Sequence, residues 1–473
     1  MKLTPKNKSR DQYKRLLIFF ISLFNLILLS AAFGYVWYHC YADVIPRPFF
    51  RKGNWLVIGI YALLLFVFTN LYGGYRVGTF KRGNLIFSGI LSALIVNGIT
   101  YLQISLIGRN FLAPIPMLFL SAVDGILLVI WAIMAHALYH KLYPPQQMLL
   151  IYGDSSAKQL VYKMSAREDK YMICDAINVA KGLQEVYKRI DQYESVIIYD
   201  IKAELRNKIL KYCYDRSVRI YLTPKISDTI IRGADAIDLF DTPLLFCRSM
   251  GLSFEQRFAK RALDLLIAVI VLILASPFML LTAIAIKLYD GGPVFYKQER
   301  LTLNGKIFVI YKFRSMVVGA EEQSGAVLAS KNDDRITPVG KFIRKTRLDE
   351  LPQILNIIKG DMSIVGPRPE RPEIAEQYDA TIPEFSYRLK VKAGLTGYAQ
   401  VIGKYNTTAL DKLKLDLMYI QNYSFLLDLK LIFMTLKVVF QRESTEGVDK
   451  QPISVMAQED QEKKKEEKET ILQ

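Results

Sequence analysis

The sequence predicts a membrane protein that joins α-helical and α/β parts. Three observations predict it. Four long apolar runs open the chain, a stretch of alternating strand and helix patterns follows, and a polar segment rich in specific motifs comes after a fifth apolar run. The chain has 473 residues, room for about three domains of ordinary size. Hydrophobic residues make up 51% and charged residues 23%, which excludes a disordered polymer. Mean hydropathy is positive although the formal net charge is +17, a pairing seldom found in a soluble basic protein. The four cysteines (Cys40, Cys174, Cys213, Cys247) are far apart and form no CxxC, which excludes a disulfide scaffold and a Cys-rich zinc site. The three histidines (His39, His136, His140) all lie in the first third of the chain. Chemistry beyond residue 140 therefore proceeds without a Ser-His-Asp triad or a His-based metal centre.

The four runs are Leu16–Tyr38, Trp55–Tyr72, Leu85–Ile107 and Ile115–Leu138. Each is near the ~20 residues that a helix needs to cross ~30 Å of hydrocarbon. They define a basic tail at 1–15 and four transmembrane helices within 16–138. The tail carries Lys2, Lys6, Lys8, Arg10, Lys14 and Arg15 against Asp11, and the second connection carries Arg76, Lys81 and Arg82. These place the N-terminus in the cytoplasm, against a weaker opposing vote from Arg47, Arg51 and Lys52. An even number of crossings returns the chain there. The first run reads as a span and not as a signal peptide, because it continues through Phe33-Gly34-Tyr35-Val36-Trp37 past the small residues Ser30-Ala31-Ala32. Asp124 in the fourth run is a costly intramembrane acid, assigned no chemistry.

Residues 147–247 read as a small parallel α/β unit, a Rossmann-like module on the cytoplasmic side. Strands are expected at Met148–Tyr152, Val196–Asp200 and Val218–Leu222, with a helix over Lys202–Arg216. The loop Gly153-Asp154-Ser155-Ser156-Ala157 has a single glycine and not the GxGxxG that lets backbone approach a pyrophosphate. That favours a structural or regulatory module over a working cofactor site.

The fifth apolar run, Ala262–Ile286, is long enough to span, but Ser276-Pro277 sits in its middle. Proline removes a helix hydrogen bond and crowds the preceding turn, so it bends or breaks a helix. Arg257, Lys260 and Arg261 flank one end, and Lys287 and Lys297 the other. The symmetrical flanks favour a re-entrant helix-break-helix over 253–288, with both ends at one face. A Pro-kinked span remains open on local sequence.

Residues 289–447 carry the chemistry. Lys306–Arg314 alternates Ile307, Val309, Tyr311 and Phe313, with Lys312 and Arg314 beside them. The run Leu348-Asp349-Glu350-Leu351-Pro352-Gln353 leads into an apolar helical pattern ended by Gly360. Proline is tolerated only in the first helical turn, so the Asp349-Glu350 pair is expected at a helix N-terminus. Acids are common there as caps; the surroundings of this pair set it apart. Arg344 lies in the helical stretch before it, and Gly366-Pro367-Arg368-Pro369-Glu370 follows the helix. Two prolines fix the backbone around Arg368, whose fork suits two phosphate oxygens. Carboxylates and arginines without histidine suggest phosphoryl chemistry with a divalent cation.

The stretch from about Ser253 to Gly447 resembles the bacterial sugar transferases, the monotopic phosphoglycosyl transferases. The matching residues are Lys260-Arg261-x-x-Asp264, Ser276-Pro277, Gly292–Gln298, Tyr311–Met316, Leu348–Gln353, Lys359–Ser363, Val365–Pro369 and Gly394–Val401. The four spans and the α/β module resemble the long form of that family. The resemblance implies a mixed α/β catalytic domain at 289–447, anchored by the re-entrant segment and followed by a charged tail at 448–473. It implies transfer of a sugar-1-phosphate from a nucleotide diphosphate sugar, usually a UDP-sugar, to undecaprenyl phosphate with release of UMP. This begins exopolysaccharide, capsule or O-antigen assembly at the cytoplasmic face of the bacterial plasma membrane. Asp349 is the implied nucleophile, Glu350 the implied Mg²⁺ ligand and Arg368 an implied phosphate ligand. Arg344, Arg314 and Lys312 are further phosphate-binding candidates, and Ser276 and Pro277 the implied helix break. Arg347 departs from the small polar residue found in many members. A homodimer stands as one candidate assembly. Two other classes are a membrane-anchored nucleotide-sugar reductase or epimerase, which would need a glycine loop and a Tyr/Lys pair in the module, and a catalytically silent scaffold, which an altered acidic pair would suggest. Nucleic acid does not explain the net charge, since the basic residues cluster beside apolar runs.

Overall fold

The computed structural model describes residues 12–46, 48–49, 51–153, 157–165, 167–238, 241–247, 251–320, 333–403 and 407–439. The charged tail at 448–473, most of the basic tail at 1–15 and loop residues 154–156 lie outside the described residues. The chain divides into two compact units, residues 1–225 and 226–473.

In the first unit, apolar helices form where the apolar runs predict them: α1 (Lys14–Val36), α2 (Arg51–Tyr72), α3 (Arg82–Gly108) and α4 (Ile115–Leu142). Three of the polar side chains inside them form a chain of hydrogen bonds across the helices. Tyr61 Oη donates to Asn97 Oδ1 at 2.9 Å, and Asn97 Nδ2 donates to Asp124 Oδ2 at 2.9 Å. Asp124 thus faces a neighbouring helix and links α2, α3 and α4. The indole N–H of Trp131 donates to the Ile21 carbonyl at 3.0 Å and ties α4 to α1.

The chain then forms β1 (Gln146–Tyr152), α5 (Lys158–Ser165), β2 (Tyr171–Asn178), α6 (Leu183–Ile190), β3 (Ser195–Tyr199), α7 (Ala203–Asp215) and β4 (Arg219–Leu222). All four strands pair in parallel in the order β2-β1-β3-β4. Strand β2 was not expected: it lies at the sheet edge, and its exposed residues Met172, Cys174 and Ala176 are apolar, which hides the polar/apolar alternation of a half-buried strand. The single glycine after β1 has a packing reason. A Cβ at Gly153 would lie 2.2 Å from the Asp200 carbonyl oxygen, so this position needs glycine for the approach of two strand ends.

The second unit begins with α8 (Ile226–Arg232) and the hairpin β5 (Asp235–Ile237) and β6 (Leu244–Phe246). These fall within the stretch assigned by sequence to the α/β module. Ile226 instead packs against the C-terminal core, and β5 and β6 pair with each other and not with the edge strand β4. Next come α9 (Phe254–Asp290), β7 (Phe295–Leu301), β8 (Ile307–Phe313), α10 (Pro338–Lys345), α11 (Gln353–Lys359), β9 (Ser363–Val365), α12 (Pro372–Thr381), β10 (Gly394–Thr396), α13 (Tyr398–Ile402), α14 (Ala409–Gln421) and α15 (Phe425–Val439). The strands form small pairs and not one sheet: β7 with β8 antiparallel, and β9 with β10 parallel. Their core gathers Ile310, Ile354, Ile357, Val365, Leu417 and Leu431.

Helix α9 runs through Ser276-Pro277 without the interruption that a helix-break-helix implies. The local chemistry explains it. Pro277 cannot donate to the Ile273 carbonyl, and Ser276 Oγ takes that carbonyl at 2.9 Å. Both halves of α9 are held by the same unit. At its start, Lys260 Nζ donates to Asp428 at 2.6 Å and to Tyr419 at 3.1 Å, while Arg261 caps the Ile357 and Ile358 carbonyls at 2.6 and 2.7 Å. Asp264 accepts from Ser363 Oγ and the Ile364 N–H, both at 3.0 Å. At its end, Ile286 is buried with Phe313 and Ile343. Between them Leu266, Ile270, Ile273, Leu274, Phe278 and Leu281 stand exposed.

Candidate active site

Helix α10 starts on a Thr337 cap that accepts from the Gly340 N–H, and carries Arg344 in its last turn. Arg347 then adopts a left-handed conformation, φ 61°, at a cost on the order of 1–3 kcal/mol for a residue with a Cβ. That reversal opens a 3₁₀ turn, Leu348–Glu350, which presents the two acids side by side. Pro352 caps α11, so the pair sits one short turn before the helix and not in its first turn.

Lys312 reaches the pair from β8. Phe308 and Ile310 are buried while Ile307 and Val309 are exposed, so the inward face of the strand is that of 308 and 310. Lys312 continues that parity, and its Nζ lies 2.8 Å from Glu350 Oε1. Arg347 Nη1 is 3.6 Å from Glu350 Oε2. Burial opposes ionisation of Glu350, but Lys312, Arg368 and Arg347 outweigh it and hold its carboxyl down at about 2. Burial, together with the charge on Glu350, pushes Asp349 up to about 6, against the pull of Lys312, Arg344 and Arg347. Asp349 Oδ1 is buried without a hydrogen-bond partner among the described residues. Two adjacent carboxylates, one with an orphaned buried oxygen, are donors that fit a hard divalent cation sharing its remaining positions with substrate phosphates and water.

Arg368 is exposed between the buried Pro367 and Pro369. The loop is clamped to β10: the Gly366 N–H donates to the Thr396 carbonyl at 2.8 Å, and the Gly394 N–H to the Pro367 carbonyl at 2.9 Å. A Cβ at Gly366 would lie 2.3 Å from the Lys392 carbonyl oxygen, so glycine is required for this contact. Beneath the loop, buried Arg388 donates to the Arg368 carbonyl at 3.0 Å and pairs with Asp416 at 2.8 Å and Glu370 at 3.3 Å. Arg300 donates to the Pro369 carbonyl at 3.1 Å.

The structure therefore brings Asp349, Glu350, Lys312, Arg344 and Arg368 into one electrostatic neighbourhood. Arg314 does not join them. It lies beyond the end of β8 and turns onto Asp290 at the end of α9. Ser276 and Pro277 lie mid-helix, in the apolar part of α9. Sequence reasoning left Arg347 without a role and missed Arg300 and Arg388. The first lies two residues before Asp349, the second ends the Gln298-Glu299-Arg300 run, and Arg388 had no local signal.

Residues 255–442 match the family model described as bacterial sugar transferase. This region of the chain belongs to that family. The sugar transferase region contains the acidic pair, Lys312, Arg344 and the Arg368 loop; α1 to α4 and the four-stranded sheet lie outside it. Similar proteins include a UDP-N-acetylgalactosamine-undecaprenyl-phosphate N-acetylgalactosaminephosphotransferase of Aeromonas hydrophila, 41% identical over 49% of this chain and 55% of that one. A UDP-glucose:undecaprenyl-phosphate glucose-1-phosphate transferase of Klebsiella pneumoniae is 38% identical over 56% of each chain. An undecaprenyl-phosphate galactose phosphotransferase of Salmonella typhimurium is 40% identical over 46% of this chain and 50% of that one. The matches thus span about half the length of these relatives. The described residues include five helices long and apolar enough to cross a membrane, which marks the sugar transferase region as part of a membrane-associated chain.

Proposed function

We propose that the chain transfers a sugar-1-phosphate from a UDP-sugar to undecaprenyl phosphate, releasing UMP and starting polysaccharide assembly. The observation that carries this reading is Asp349: a desolvated carboxyl with one unpartnered oxygen, ringed by fixed cations, inside the region shared with sugar-phosphate transferases. Both substrates are phosphate anions, and direct attack of one on the other is opposed by repulsion. A carboxylate nucleophile divides the reaction into two displacements. Asp349 attacks the sugar-linked phosphorus, and the bond from that phosphorus to the UMP oxygen breaks with its electron pair leaving on UMP. An oxygen of undecaprenyl phosphate then attacks the same phosphorus, and the Asp349–phosphorus bond breaks to restore the carboxylate. Arg368, held rigidly by its prolines, and Arg344 would bind phosphate oxygens in both steps. Glu350, with Asp349, would hold Mg²⁺, which when bound neutralises charge on the phosphates.

The position we infer for the catalytic region rests on α9. Both halves of the helix pack on one compact unit, which cannot lie on two sides of a bilayer. In this reading α9 bends at Pro277, so that its exposed apolar middle enters the bilayer from the cytoplasmic face and returns to it, which would put the site beside the headgroup of the lipid acceptor.

The test is UMP release from a panel of UDP-sugars by purified protein with undecaprenyl phosphate and Mg²⁺. The expected result is release from one donor, dependent on the acceptor and lost in Asp349→Asn. Absence of UMP from every donor, in protein shown to be folded, would overturn the reading. The three relatives name three different sugars at similar identity, so the panel also identifies the donor.

A further inference from the structure

His136 and His140 lie one turn apart on the last turns of α4, on the same helix face. Their Nε2 atoms are 3.0 Å apart. Asp169, in the turn before β2, brings Oδ2 to 3.9 Å from His140 Nε2. One ligand atom of each residue lies within 4.8 Å of the others, and this is the one such His/Cys/Asp/Glu group among the described residues. We propose that these three side chains form a binding site for a divalent transition metal, Zn²⁺ being the ion of choice, which staples the end of α4 to the turn that enters the sheet.

The geometry is near what such an ion requires. Ligand atoms bound at about 2.0–2.1 Å in a tetrahedron stand about 3.3 Å apart, so the two nitrogens are almost in place, and the carboxylate, 3.9 Å from His140 and within 4.8 Å of His136, must move inward to complete the set. The carboxylate is already oriented from behind. Arg167 donates to Asp169 Oδ1 at 2.8 Å and Oδ2 at 3.0 Å, and also to the Thr79 carbonyl in the connection between α2 and α3. Carboxylates that ligate a metal are themselves held by hydrogen bonds from behind, and each oxygen here keeps a lone pair for the ion.

The surroundings also select the kind of ion. Arg82 and Arg167 both act on the two rings, so an incoming cation meets two guanidinium charges and one carboxylate. A hard ion held by charge, such as Mg²⁺ or Ca²⁺, gains little there. An ion that forms strong bonds to imidazole nitrogen is favoured. The alternative occupant of the space is a plain N–H···N bond between two neutral imidazoles.

The experiment uses the full chain in detergent, without a histidine tag, stripped with a chelator and titrated with Zn²⁺ against a chromogenic competitor. The expected result is one equivalent bound with micromolar or tighter affinity, a rise in thermal midpoint on binding, and at least about tenfold weaker binding in His140→Asn and in Asp169→Asn. His39→Asn, whose ring lies outside the group, should bind as wild type does. Co²⁺ in the same site should give d–d absorption without thiolate charge transfer, which excludes the cysteines as ligands. No binding by the folded wild-type chain would overturn the proposal in favour of the imidazole hydrogen bond. Undiminished binding in the His136→Asn/His140→Asn double variant would overturn it as well.

Discussion

Lys312 Nζ lies 2.8 Å from Glu350 Oε1, and this contact is the leading cause that holds one of two neighbouring carboxylates as an anion although both are buried. Glu350 is held as an anion, with its carboxyl at about 2. Its negative charge adds to burial in raising Asp349 to about 6. The proposed nucleophile is therefore the more basic of the two acids.

A pH profile reads this directly. Asp349 must be ionised to attack, so kcat/KM for UDP-sugar should be full well above pH 6. It should fall about tenfold per unit below that value. Lys312→Met removes the cation that favours both ionised forms, and should move the acid limb to higher pH while lowering the plateau. Rates of UMP release across pH give both quantities. An acid limb that stays in place in Lys312→Met would show that the lysine does not act on the nucleophile.

The same shifts set opposite stability effects at adjacent positions. Asp349 titrates higher in the fold than its ordinary 3.8, so its ionisation works against folding. That cost is absent below the ordinary value, grows between the two, and is complete above about 6. Asp349→Asn should therefore abolish turnover yet raise stability at pH 8 by on the order of 1–2 kcal/mol, with the gain shrinking as pH falls toward 4. Glu350 titrates lower in the fold, so its contribution is present above its ordinary 4.5 and is lost only as pH falls through about 2. Glu350→Gln should destabilise at pH 8. Thermal midpoints of the two variants over pH 4–8 check the opposed signs.

How much of this was legible follows from what each feature depends on. The apolar helices were readable because a run of one side-chain class is a local signal, and α1 to α4 lie where the runs do. The edge strand β2 escaped, since a bulge at Cys174 breaks its alternation: Tyr171 and Ile173 pack on one face of the sheet, whereas Asp175 and Ile177 pair with the β1 residues of the other face. In β8 the alternation was visible but both faces are apolar, and only packing shows that Phe308 and Ile310 point inward and carry Lys312 to the site. The acidic pair was readable because Pro352 fixes where its helix begins. Arg314 misled because it adjoins Lys312 in sequence, yet it stands beyond the strand and serves Asp290. Arg388 was not readable at all: its partners Glu370 and Asp416 come from separate elements that meet only in the folded core.

Arg388 nevertheless bears on the site, through its bond to the Arg368 carbonyl. Arg388→Met should leave Asp416 and Glu370 buried without their cation, at a cost of about 3–5 kcal/mol. Arg388→Lys keeps a charge for the two acids but loses the forked reach to the loop. The lysine variant should fold with a smaller loss of thermal stability and show a higher KM for UDP-sugar. A lysine variant with unchanged KM would mean that the arginine supports only the core.

The membrane arrangement gives a last test. A straight α-helix of 37 residues would be about 55 Å long, far more than a bilayer core needs. Yet Lys260 near one end and Ile286 near the other are both buried against the same compact unit. A helix that crossed the bilayer would place its two ends on opposite sides, and that unit would be divided. Arg257 and Lys297 are exposed outside the apolar middle, one beyond each end of it. Arg257→Cys and Lys297→Cys, each in a background with the four native cysteines replaced, should both resist an impermeant thiol reagent applied to intact cells, and both react once the membrane is opened. Labelling of Lys297→Cys alone from outside would mean that α9 spans. Pro277→Ala restores the N–H that can bond to the Ile273 carbonyl, which removes the need for Ser276 Oγ there. It should straighten the helix, strain the contacts at Lys260 and Ile286 together, and lower both membrane-bound activity and thermal stability.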